Sequence, residues 1–155
     1  MIKIFFLYSL MVFAWGNLYS QGKNENIVDI SLSSFPDTAN KNYFAVFVNI
    51  DIKEGWHVNS NKPFDEYLTP TSVKLKDTSG IKIIKIEYPP EMIAKLQFSE
   101  AELSLYEGMV TIKIILRADD IFLMNKKKAL LELEYQSCNN QTCLFPVQKI
   151  LSVSL

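Results

Sequence analysis

Residues 135–146 read Tyr135-Gln136-Ser137-Cys138-Asn139-Asn140-Gln141-Thr142-Cys143-Leu144-Phe145-Pro146 and hold both cysteines of the 155-residue chain. A run with strand character leads in (Ala129 to Gln136) and another leads out (Val147 to Leu155). Asn139-Asn140 is turn chemistry, because asparagine tolerates positive φ and bonds its own backbone. The stretch therefore predicts a β-hairpin with one cysteine on each side of its tip. Opposed residues of an antiparallel pair have Cα atoms about 4.5–5.5 Å apart, a spacing that a disulfide accepts. Closing so short a loop removes only about 2 kcal/mol of unfolded-state freedom. A bridge at a hairpin tip is also within reach of another thiol, and exposed bridges are the labile ones. The spacing leaves both a redox role and a structural bridge open. A zinc site needs about four ligands, and two cysteines with one histidine fall short of it.

Outward from the hairpin, the chain alternates. Candidate strands are Ile27 to Ser33, Asn42 to Ile52, Thr71 to Lys76, Ile81 to Tyr88, Met109 to Arg117, Ala129 to Gln136 and Val147 to Leu155. In the clearest, Phe44, Val46, Val48, Ile50 and Ile52 share one face while Asn49 and Asp51 take the other. Val110, Ile112, Ile114 and Leu116 line up in the same way, as do Leu131, Leu133 and Tyr135. The phase changes between Ile83 and Ile84, which predicts a bulge. Pro90 to Leu103 is the one helix-tolerant piece, and it is irregular. Short strands with one apolar face, separated by polar or proline-rich turns, predict an all-β, immunoglobulin-like antiparallel β-sandwich. Lys126-Lys127-Lys128 reads as a solvated turn before a strand.

Hydrophobic content of 48% and charge of 21% suit one globular domain with a real core. The formal net charge of −1 provides no basic excess for a phosphate backbone, so no nucleic-acid partner is expected. None of the five glycines builds a phosphate-cradling pattern, and no cofactor is expected. The first twenty residues differ in kind. Lys3 precedes an apolar stretch from Ile4 to Trp15, and Gly16-Asn17-Leu18-Tyr19-Ser20 comes next. This is the anatomy of a signal peptide, too short in its apolar part for a membrane helix of about 20 residues. Cleavage is expected after Ser20, leaving residues 21–155 as one exported domain without stable membrane insertion. Disulfides persist in such a compartment.

Several of these segments together resemble a known family. Tyr135-Gln136-Ser137-Cys138, Thr142-Cys143-Leu144 and Pro146 look like the YQxC…TCxxP pattern of the N-terminal periplasmic domain of the thiol:disulfide interchange protein DsbD. Gly55-Trp56-His57-Val58-Asn59-Ser60 resembles that family's GWH segment, and Asp65-Glu66-Tyr67 and Pro70-Thr71 resemble the stretch after it. Tyr106-Glu107-Gly108 resembles its YxG segment. The resemblance implies a redox-active disulfide, Cys138–Cys143, on an immunoglobulin-like sandwich in the periplasm. It implies a protein-disulfide reductase type of oxidoreductase, passing reducing equivalents to or from exported or membrane-anchored thioredoxin-like proteins. Cys143 would attack the partner and Cys138 would resolve the mixed disulfide. Full-length relatives continue into further domains, whereas this sequence ends at Leu155, so partners are expected in trans.

Phe98 is the candidate for an aromatic cap over the cysteines, against its reading as an apolar anchor beneath a loop. His57, the only histidine, either sits beside the thiols, where it would raise the thiolate population, or is an ordinary surface or half-buried side chain after a Gly-Trp turn. Tyr135 is the third near-thiol candidate. Asn140-Gln141-Thr142 fits a glycosylation sequon, but a glycan there would cover the cysteines, so it reads as chance. No Ser-His-Asp arrangement can be argued from order alone. The alternative of a different class is an exported immunoglobulin-like binding or assembly module with a purely structural hairpin disulfide.

Overall fold

The computed structural model describes residues 27–125 and 128–155. The expected leader, its cleavage point before Gln21, and Lys126 and Lys127 lie outside the described residues. Lys128 opens a strand and is exposed.

The seven expected strands all form, as β1 (Val28–Pro36), β2 (Tyr43–Ile52), β4 (Ser72–Leu75), β5 (Ile81–Glu87), β8 (Met109–Ala118), β9 (Lys128–Tyr135) and β11 (Val147–Ser154). Their alternation drives the packing. The inward residues of β2 and β8, from Phe44 to Ile52 and from Ile112 to Ala118, are buried. The outward ones stay partly or wholly exposed. The first sheet has strand order β1-β2-β8-β5, all antiparallel. The phase change in β5 is a bulge: the register steps from Ile83 to Lys85 opposite β8, and Ile84 is turned out to solvent. A second sheet, β11-β9-β4, sets Ala129, Leu131, Leu133, Tyr135, Val153 and Val73 into one core with the first.

Four further strands are very short: β3 (His57–Asn59), β6 (Met92–Ala94), β7 (Leu103–Tyr106) and β10 (Ser137–Cys138). They build a third sheet of order β10-β3-β7-β6. This sheet adjoins β9 and β4 in one layer: β9 runs on through Gln136 into β10, Asn59 N–H donates to the Gln136 carbonyl (3.1 Å), and Thr71 N–H to the Ser60 carbonyl (3.0 Å). β6 occupies part of the segment expected to tolerate a helix. One short helix, α1 (Asp120–Met124), has no counterpart in the sequence-based expectation. Asp119 caps it by accepting from the Phe122 N–H at 2.7 Å, and Phe122 anchors it in the core.

Tyr135 ends β9 with its ring fully buried in this core, and its hydroxyl has no hydrogen-bond partner among the described residues. Burial pushes the phenol above its ordinary value. The unfolded phenol therefore ionises first as pH climbs past about 10, and the stability it carries is full below that pH and lost above it. A Tyr135→Phe variant is expected to be about 1 kcal/mol more stable near neutral pH, because an unpaired buried hydroxyl is costly. It should also show a shallower alkaline limb, although buried Tyr106 and part-buried Tyr88, raised for the same reason, retain theirs. Urea unfolding at two pH values measures both effects. A loss of stability in Tyr135→Phe would mean that the hydroxyl is bonded after all.

Candidate functional site

The hairpin prediction needs one correction. The β9/β11 ladder closes at Tyr135 opposite Val147, before either cysteine. Ser137 and Cys138 then leave that sheet and pair with Val58 and His57 of β3. The reason lies in what each residue must bury. Cys138 goes under Leu96, Leu103 and Leu105, a small apolar cluster separate from the main core. The cysteines therefore sit on an excursion from the hairpin, beside the third sheet.

Within the excursion the chain folds back at once. Asn139 N–H donates to the Thr142 carbonyl (2.9 Å), and Asn139 Oδ1 accepts from the N–H groups of Gln141 (2.8 Å) and Thr142 (3.0 Å). Asn139 thus mimics a backbone turn with its side chain. Cys138 and Cys143 face each other as an isolated bridge pair, Cα atoms 4.0 Å apart, and are joined by a disulfide. Leu144 N–H donates to the Ser137 carbonyl (2.8 Å), which fixes the returning limb.

The two sulfurs are not equivalent. Cys138 is 0% exposed, whereas Cys143 is only part-buried. Cys143 opens into a shallow cleft lined by Gln136, Leu144, Phe145 and Pro146. Phe145, beside it, is 89% exposed. Exposure alone therefore separates the two ends of the bridge.

His57 is the direct cross-strand partner of Cys138, and opposed side chains project to the same face. Its ring is 13% exposed, with Nε2 3.4 Å from Glu107 Oε2, an ion pair only when the imidazole is protonated. Its Nδ1 is buried and has no partner among the described residues. Phe98 lies 40% exposed on the loop after Leu96, beside a cleft it shares with Leu68 and Leu103. Leu96 and Leu103 belong to the cluster around Cys138, and Leu68 and Cys143 pack against it. Tyr135 faces the main core instead of this cluster. No group of three or more His, Cys, Asp or Glu side chains among the described residues could hold a metal ion.

Two residues of the site, Asn59 and Gln136, lie within the motif segments without showing their roles in the sequence. Asn59, wholly buried, places Oδ1 3.7 Å from Cys138 Sγ. Its Nδ2 donates to Gln136 Oε1 (2.9 Å) and to the Thr69 carbonyl (3.2 Å). Gln136 in turn accepts from Thr69 N–H (2.9 Å) and donates to the Leu144 carbonyl (3.0 Å). Gln136 therefore ties the limb after Cys143 to the strand beside Cys138 and to the loop that carries Leu68. The signal available is position: a glutamine two residues before a cysteine, facing opposite to the buried Tyr135.

Sequence and fold both place this arrangement among known proteins. The sequence model of the family described as thiol:disulfide interchange protein DsbD, N-terminal, matches residues 31–155. The chain belongs to the DsbD N-terminal domain family. Two solved structures share its fold. The N-terminal periplasmic domain of ScsB from Proteus mirabilis is 11% identical over 86% of this chain, with a TM-score of 0.62. The chain spans about half of that protein domain, 48%. The Neisseria meningitidis DsbD n-terminal domain in its reduced form is 15% identical, covering 71% of this chain and 76% of its own, with a TM-score of 0.51. The search of curated proteins finds no match. The sandwich is thus immunoglobulin-like, as the alternating strands predict. The resemblance drawn from YQxC, TCxxP and GWH holds across the matched residues.

Proposed function

We propose that this chain is a thiol–disulfide exchange domain that relays reducing equivalents between exported redox proteins through Cys138 and Cys143. The observation that carries this reading is the asymmetry of the pair, one sulfur sealed and one part-exposed at the mouth of a cleft. Membership of the DsbD N-terminal family supports it.

In the forward step a partner's thiolate attacks Cys143 Sγ in line with the disulfide. The Cys138–Cys143 bond breaks, its electron pair goes to Cys138, and Cys143 is left in a mixed disulfide. The partner's second thiol then loses its proton and attacks its own first sulfur, releasing Cys143. Two electrons and two protons pass from the partner's dithiol to this chain. The reverse sequence, starting from the Cys143 thiolate, reduces a target disulfide, with Cys138 as the resolving thiol. His57, opposite Cys138 and paired with Glu107, is placed to favour the thiolate when it carries charge. Phe98 borders the same apolar cluster and is the candidate cap. Partners of this kind would be thioredoxin-like, periplasmic or membrane-anchored.

Acid-quenched trapping of the thiols across glutathione ratios tests the reading. A midpoint between about −120 and −270 mV, the span of exchange proteins, is the expected result. A pair still oxidised below about −300 mV is behaving as a structural bridge, and the chain would then be an immunoglobulin-like binding or assembly module.

A further inference from the structure

Asn59 and Cys138 are both wholly buried, and Asn59 Oδ1 stands 3.7 Å from Cys138 Sγ. Which end of the Asn59 amide faces the sulfur is fixed by groups that cannot be reversed. The Leu144 carbonyl can only accept, so the Gln136 atom against it is the amino nitrogen, Nε2. Thr69 N–H can only donate, so the Gln136 atom against it is the oxygen. That oxygen also takes a hydrogen bond from Asn59, and the Thr69 carbonyl takes another, so both contacts require Asn59 Nδ2. What remains for Cys138 is the carbonyl oxygen, an acceptor without a proton to give. In the disulfide the sulfur has no hydrogen, and the contact is only a close approach. Reduction would give Cys138 an S–H within reach of that acceptor, in a pocket of Leu96, Leu103 and Leu105.

Resting on the exchange reading above, we propose that Asn59 is a positioning residue that holds Cys138 as the protonated thiol in the opened states, so that Cys143 is the sulfur that engages a partner. When a partner's thiolate displaces Cys138 from Cys143, the leaving sulfur takes up one proton, balanced by the one that the partner's second thiol gives up before it resolves the mixed disulfide. A thiolate at Cys138 would lie beside the Asn59 carbonyl oxygen and lack solvent, both of which disfavour it. His57, opposite Cys138, has its charge paired with Glu107 when protonated, which limits its support for a thiolate there. An opened site therefore meets its partner through Cys143, and Cys138 must give up its proton before it resolves a mixed disulfide there.

The test uses the Cys143→Ala chain, where Cys138 is the only thiol. Its S–H stretching band in the infrared is expected at lower frequency than that of an alkanethiol in hydrocarbon solvent, as for a thiol bonded to an amide oxygen. Adding Asn59→Leu should move the band up to the unbonded position. Adding Asn59→Asp, which keeps an acceptor and adds charge, should move the pH midpoint of alkylation of Cys138 up by about one unit or more. A band at the unbonded position in Cys143→Ala, or one indifferent to Asn59→Leu, overturns the proposal. If Asn59→Leu fails to fold, the comparison with the alkanethiol still decides. Failure of the exchange reading is separate: it appears as the absence of any mixed disulfide at Cys143, whatever the position of this band.

Discussion

A Cys138→Ala chain is expected to accumulate a mixed disulfide with a thioredoxin-like partner through Cys143, whereas Cys143→Ala accumulates none. The expectation rests on exposure. Cys143 opens into the cleft beside Gln136, Phe145 and Pro146, while Cys138 lies at 0% exposure under Leu105. Without Cys138 the bond between Cys143 and a partner has no internal thiol to break it, so the complex survives acid quenching and non-reducing electrophoresis. In Cys143→Ala the remaining sulfur is out of a partner's reach. The yield of trapped complex should differ by at least about a hundredfold, since thiolate exchange requires direct access to sulfur. Equal trapping by the two variants would remove the basis of the relay. Trapping by Cys138 alone would reverse the roles of the two sulfurs.

The second large effect is expected at Leu105, fully buried on β7 and opposite Asn59 in the ladder. Leu105→Ala deletes apolar contacts and leaves a cavity, which costs about 2–5 kcal/mol in cores of this kind. Here the cavity borders Cys138. Loss of stability in urea should therefore come together with faster alkylation of Cys138 in the Cys143→Ala background. Ile114→Ala, an equally buried change in the first sheet, should lower stability comparably and leave Cys138 protected in the native state. If Leu105→Ala destabilises the fold but Cys138 stays inert, the third sheet shields the sulfur by means other than this cluster.

Six of the seven strands of the main sandwich are legible in the sequence because they run from 7 to 10 residues, long enough to show period-two alternation, and the four-residue β4 is legible by Val73 and Leu75 on one face. The bulge at Ile84 is visible as a break in that period. The third sheet is not legible. Its strands run from two to four residues, and Leu103–Tyr106 is buried at every position, so no alternation exists to read. Periodicity alone consequently puts Cys138 at a simple hairpin tip, whereas β10 pairs with β3, far away in sequence. Pairings across such separations carry no local signal. Motif resemblance supplies what periodicity lacks, since Gly55 to Ser60 hold the strand that pairs with the cysteine limb and Tyr106 to Gly108 mark the end of the next strand in that sheet. Even so, the amide network of Asn59 and Gln136 depends on side-chain geometry that no spacing rule encodes.

The bridge joins residues only five apart in a chain that has no other cysteine. Oxidation within these 155 residues therefore has one possible intramolecular product. No scrambled isomer exists for an isomerase to repair, and the pair can close before the surrounding sheets are finished. The one covalent misstep open to a newly made chain is cross-linking to a neighbour, which dilution alone suppresses.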